Sequence, residues 1–113
     1  MDAPDLPGHG TDETPMSALS LDLYCAAVAE RALSSAEPVV LVGHSMAGAV
    51  ISRVAEQVPK AIAQLVYLTA YLPRSGQTLA SLARRDTEAL TEAVRSDVKG
   101  TDCVSISADA ARR

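Results

Sequence analysis

The run Pro38-Val39-Val40-Leu41-Val42-Gly43 constrains this chain more than any other stretch. It is continuous, aliphatic and largely β-branched, with no polar alternation. Such a run suits a strand buried on both faces, as in a parallel sheet. It leads directly into Gly43-His44-Ser45-Met46-Ala47-Gly48. From about Met46 to Gln57 the pattern is helical, with Val50, Ile51, Val54 and Ala55 on one side, and Pro59 ends it. Ile62 to Ala70 is a second buried-strand candidate. Alternation of apolar strand and helix is the mark of βαβ units with right-handed crossovers.

The flanking segments are read in the same way. Residues 1–20 hold Pro4, Pro7, Gly8, Gly10 and Pro15 and form a loop. Leu21, Tyr24, Val28 and Ala32 make one apolar stripe over Ser20 to Leu33, with Ser20 as the N-cap. Past Pro73 the character changes. Ser81 to Ser96 reads as a polar helix striped by Leu82, Leu90, Ala93 and Val94, and Gly100 breaks it. Val104-Ser105-Ile106-Ser107 alternates like a short half-exposed strand, and a helix begins at Asp109.

Composition narrows the function classes. The chain has 113 residues, with 48% hydrophobic and 21% charged, which is ordinary for one small globular domain. Its net charge of −4 and the scatter of its Lys and Arg residues argue against a nucleic-acid partner, which needs a clustered positive field. No apolar run approaches the ~20 residues of a membrane span, and the N-terminus lacks a secretory signal pattern. A cytoplasmic location is expected by default. Cys25 and Cys103 belong to no C-x-x-C pair, so the expectation is two free, partly buried thiols and no metal.

Ser45 is the residue on which chemistry is expected. A serine between a buried strand and a helix sits in a sharp, strained turn that lifts its Oγ above the sheet edge. Small residues two before and two after keep that turn free of collisions. Gly43 meets the requirement, and Ala47 meets it with one methyl of crowding. The Met46 N–H then points at a developing oxyanion, aided by the dipole of the helix that follows. The bare pattern G-x-S-x-[GA] arises by chance in about one chain in ten of this length. Its position between strand and helix is therefore what gives it weight.

Three motifs in order extend this. Asp5-Leu6-Pro7-Gly8-His9-Gly10, Val39 through Gly48, and Leu65-Val66-Tyr67-Leu68-Thr69-Ala70-Tyr71-Leu72-Pro73 resemble the α/β-hydrolase superfamily. The branch they resemble is that of the plant-type methyl esterases and hydroxynitrile lyases with their bacterial relatives. The likeness runs from about Ala3 to Gly76. It implies a partial α/β-hydrolase fold of parallel strands and crossover helices, with a core over residues 1–75 and the start of a cap-like region over 76–113. It implies a small-molecule ester substrate, no cofactor, and a Ser–His–Asp triad with Ser45 as nucleophile and the Met46 N–H in the oxyanion hole. In the family the catalytic acid and His come from later segments, and the second oxyanion donor from an earlier one. None of these is present here, so the chain is expected to be a fragment, weakly active or inactive.

The remaining residues do not replace the missing ones. His9 is expected to be a loop residue rather than a base, and His44 to pack beside the strand. Asp86, Asp97, Asp102 and Asp109 are expected to face solvent. The rival functions are a hydroxynitrile-lyase-like activity in a longer form, a non-catalytic remnant or interaction module, and a small-ligand domain using the strand-end crevice. With so few strands, the expectation is marginal stability or a homodimer that covers the sheet edges.

Overall fold

The structure, a computed structural model, describes residues 1–79, 81, 82, 96, 97, 104 and 105. The chain divides into two units, Met1–Leu82 and Ala83–Arg113. In the second, the described residues form a short antiparallel pair, β3 (Ser96–Asp97) with β4 (Val104–Ser105). Of the helix expected over Ser81 to Ser96, Ser81 and Leu82 are helical, but Ser96 instead belongs to β3, where it pairs with Ser105. Residues 83–95, the helix expected from Asp109, and Cys103, Asp86, Asp102 and Asp109 lie outside the described residues.

The first unit is built from α1 (Leu21–Leu33), β1 (Val39–Ser45), α2 (Ala47–Gln57) and β2 (Ile62–Ala70). Its helix limits follow from local chemistry. The Ser20 hydroxyl accepts from the Leu23 N–H at 3.1 Å and caps α1, with Asp22 in the first turn and Arg31 in the last, where each charge suits the helix dipole. Pro59 stops α2 and opens a single 3-10 turn, Pro59–Ala61, that feeds β2.

β1 and β2 pair in parallel, from Val39 opposite Ile62 to Ser45 opposite Ala70, joined through α2. Val39, Leu41 and Gly43 share one face with Ile62, Leu65 and Tyr67. Tyr24, Cys25, Val50 and Val54 form the buried centre, and Leu41, Ile62, Val28, Met46 and Leu6 pack around it. α2 is thus pressed between the sheet and α1. Cys25 is fully buried, and its Sγ–H points at the Val50 carbonyl at 3.8 Å. Burial pushes this thiol's pKa up. A polar bridge ties helix to strand: Ser52 Oγ donates to the Gly48 carbonyl at 2.7 Å, which leaves the Tyr67 hydroxyl to donate to Ser52 Oγ at 2.7 Å.

The expectation of strands buried on both faces is corrected here. Val40, Val42, Val66 and Leu68 are 53%, 62%, 36% and 58% exposed. They share the face opposite α2, and among the described residues nothing packs over it. His44 is on that face and is exposed rather than packed beside the strand.

The leading loop is held by its own carboxylates. Asp5 accepts from the Thr11 N–H and hydroxyl at 2.9 and 3.1 Å. Asp12 accepts from the N–H groups of Gly8 and Thr14 at 2.7 and 2.8 Å. The Gly8 bond, then those of Thr14, hold the Asp12 carboxyl below its usual pKa. Among the described residues, no helix is long and apolar enough to cross a membrane.

Candidate active site

The turn that ends β1 has the geometry its sequence asks for. Ser45 has φ 54°, in the left-handed region that a non-glycine residue enters at a cost of about 1–3 kcal/mol. Its side chain is exposed at the C-terminal end of the sheet. Met46 follows at φ −56°, ψ −31° as the residue leading into α2. Its N–H therefore lies at the helix N-terminus, where backbone donors have no acceptor within the helix. Ser45 and Met46 thus present a hydroxyl and the positive end of a helix on adjacent residues.

The tight packing of the turn falls partly where it was expected. A Cβ on Gly43 would come within 2.9 Å of the Ala47 backbone and of Ile51 Cδ1, so glycine is required there. Ala47 itself is only half-buried. The position that sequence reasoning missed is Gly48. A Cβ there would overlap the Tyr71 carbonyl oxygen and come within 2.9 Å of Ala70 Cβ. A signal was present, because glycine in the first turn of a helix sacrifices helix propensity and calls for a packing reason.

β2 supports the turn from the side. The Tyr71 N–H donates to the Ser45 carbonyl at 3.0 Å, just past the end of β2. Thr69 also has a left-handed φ, 43°. The pairing passes from His44–Leu68 to Ser45–Ala70, which leaves Thr69 as an extra residue beside the turn.

Neither histidine partners Ser45. His9 Nδ1 lies 3.0 Å from the Pro7 carbonyl, so it must be the protonated nitrogen, and its ring meets Tyr24 edge-on at 5.6 Å. It is occupied in packing its own loop on α1. Among the described residues no hydrogen bond reaches the Ser45 hydroxyl, and no group of three His, Cys, Asp or Glu side chains could hold a metal ion.

Comparison with known proteins finds relatives of the same fold. A pyrethroid hydrolase from Sphingobium wenxiniae is 39% identical over 77 residues, which are 67% of this chain and 28% of that protein. A carbendazim hydrolyzing esterase from Nocardioides is 46% identical over 46 residues, covering 41% of this chain and 19% of the esterase. The crystal structure of a PytH variant superposes with a TM-score of 0.60 at 39% identity, over 67% of this chain and 31% of the other. The chain therefore spans less than a third of the length of these relatives. Residues 3–108 match the alpha/beta hydrolase family, and with an elbow-shaped turn at the end of a parallel strand, the chain belongs to that family.

Proposed function

We propose that this chain holds the nucleophile segment of a serine hydrolase that cleaves small-molecule esters. The observation behind it is the left-handed Ser45 at the junction of β1 and α2. The relatives named as a hydrolase and a hydrolyzing esterase support the same direction. In this reaction Ser45 Oγ attacks the ester carbonyl carbon while a base takes its proton. The Met46 N–H holds the oxygen as it becomes negative. Collapse releases the alcohol and leaves an acyl group on Ser45, which water then removes. His9 and His44 are not positioned as that base. Weak turnover is assigned because, among the described residues, no base meets the Ser45 hydroxyl, and a serine without one is a poor nucleophile.

Labelling with a fluorophosphonate probe, mapped by peptide mass, tests this. The chain's other serines are internal controls. Ser45 is expected to label faster than the exposed Ser34, Ser35 and Ser75, and Ser45→Ala removes that signal without changing theirs. Equal labelling of all four serines in a folded sample would remove the basis for assigning Ser45 as nucleophile.

A further inference from the structure

We propose that Thr69 is a positioning residue for Ser45, acting through the shape of its backbone rather than through its hydroxyl. The inference rests on the assignment of Ser45 as nucleophile and Met46 N–H as oxyanion donor. Among the described residues, Ser45 and Thr69 are the two non-glycine positions with positive φ, and they lie side by side on paired strands. A β-branched residue in the left-handed region is a genuine outlier. Such outliers persist where the surroundings over-determine them, and they gather at functional sites.

The extra residue has a definite consequence. Regular pairing would set Ser45 opposite Thr69. The skip instead sets Ser45 opposite Ala70 and brings the Tyr71 N–H onto the Ser45 carbonyl at 3.0 Å. A slip of one residue would also exchange which side chains face α2. It would then withdraw Ala70 and Tyr71 from the close seat they have against Gly48.

The Ser45 carbonyl and the Met46 N–H belong to one peptide unit. That unit is planar and trans, so its C=O and N–H point in opposite directions. Fixing the carbonyl toward β2 therefore aims the Met46 N–H away from β2. Thr69 thus directs the oxyanion donor through two links, the Tyr71 hydrogen bond and the rigidity of the Ser45–Met46 peptide. Its own side chain is exposed and makes no hydrogen bond among the described residues, so shape rather than the hydroxyl is what it contributes.

The test reads backbone geometry and reactivity separately. In the intact chain, amide exchange should show the Tyr71 N–H protected like that of Val66, which the register aims at β1 from within β2. Exchange as fast as that of Ser75 would overturn the proposal without any variant. In Thr69→Pro, whose ring holds φ near about −65° and so forbids the left-handed bulge, with Cys25 still shielded from thiol reagents as proof of folding, the Ser45 three-bond HN–Hα coupling should leave its left-handed value. Tyr71 protection should be lost, and fluorophosphonate labelling of Ser45 should fall by about a hundredfold, as when one oxyanion donor is removed. Thr69→Gly, which accepts the same φ, and Thr69→Val, which keeps the shape without the hydroxyl, should retain the Ser45 coupling. Loss of the coupling in Thr69→Val alone would assign the role to the hydroxyl and overturn the proposal. So would an unchanged coupling in Thr69→Pro. If the coupling responds as expected but the intact chain labels no faster at Ser45 than elsewhere, the positioning stands and the nucleophile assignment falls.

Discussion

Gly48→Ala is the substitution on which the packing of the turn can be judged. In an ordinary helix this change stabilises by about 0.8–1.0 kcal/mol. Gly48 is the second residue of α2, where the first turn is open at one end, so the gain falls at or below the lower figure. Against it stands the overlap of the new Cβ with the Tyr71 carbonyl oxygen. Overpacking typically costs about 1–3 kcal/mol, and a backbone neighbour cannot rotate aside as a side chain would. If Tyr71 retreats, its hydrogen bond to the Ser45 carbonyl goes with it, at about 1 kcal/mol. Relaxation of the left-handed Ser45 returns part of that. The balance is a net loss of about 2 kcal/mol, and at about 4–8 °C per kcal/mol for a domain of this size the melting temperature falls by about 8–16 °C. Thermal unfolding followed by far-UV circular dichroism measures it. A melting temperature equal to the parent's, or higher, would mean that helix propensity wins and that the contact between α2 and Tyr71 does not constrain the turn.

Three further outcomes follow from single contacts. Tyr67→Phe removes the donor to Ser52 and should cost about 1 kcal/mol, while Ser52→Ala strands the Tyr67 hydroxyl and should cost at least as much; a urea double-mutant cycle with no coupling between them would deny the bridge. Cys25, fully buried and with its thiolate disfavoured by burial, should react with a thiol reagent only as the chain opens, so modification of its peptide at pH 8 as fast in buffer as in denaturant would contradict the packing. For Asp12 the folded pKa lies below the unfolded one, so its contribution is complete above the unfolded pKa near 3.8 and is lost as pH falls through the folded value. The Gly8 amide resonance, which reports the Asp12 contact, should therefore hold steady as pH is lowered to about 4 and move only below that; movement near pH 5 would contradict the assignment.

The features legible in the sequence are those that depend on near neighbours in the chain. Ser20 caps α1 because its hydroxyl reaches an N–H three residues on, and Pro59 ends α2 because it cannot continue a helix. Ile62 to Ala70 was readable as a strand because its apolar run has one length and one character. Gly43 was recoverable for the same reason, since its required space is set by Ala47, four residues away. Gly48 was not, because its constraint comes from Tyr71, which only the pairing of β1 with β2 brings near. Thr69 was hidden more deeply. Nothing in Leu68-Thr69-Ala70 marks a bulge, and threonine is a residue that local preference would place in a regular strand. Its left-handed φ is visible only once Ser45 is seen to pair with Ala70.

The exposed sheet face shows what an apolar run does and does not specify. Val40, Val42, Val66 and Leu68 are as well suited to burial as Leu41 and Leu65, and from the run alone the two faces cannot be told apart. What separates them is α2, whose Val50 and Val54 supply a cover for one face only. Full burial of such side chains is worth about 1.5–3 kcal/mol each, so Val40, Val42, Val66 and Leu68, each partly exposed, leave a fraction of that driving force unused. That force does not act on the turn directly, because Ser45 is held by Tyr71 and α2. It acts on the strands that the turn ends. A covered outer face would therefore stiffen β1 and β2 without altering the geometry at Ser45. The two properties should then separate in measurement: agents that cover or uncover the face should shift the unfolding midpoint, and the Ser45 coupling of the folded chain should stay where it is.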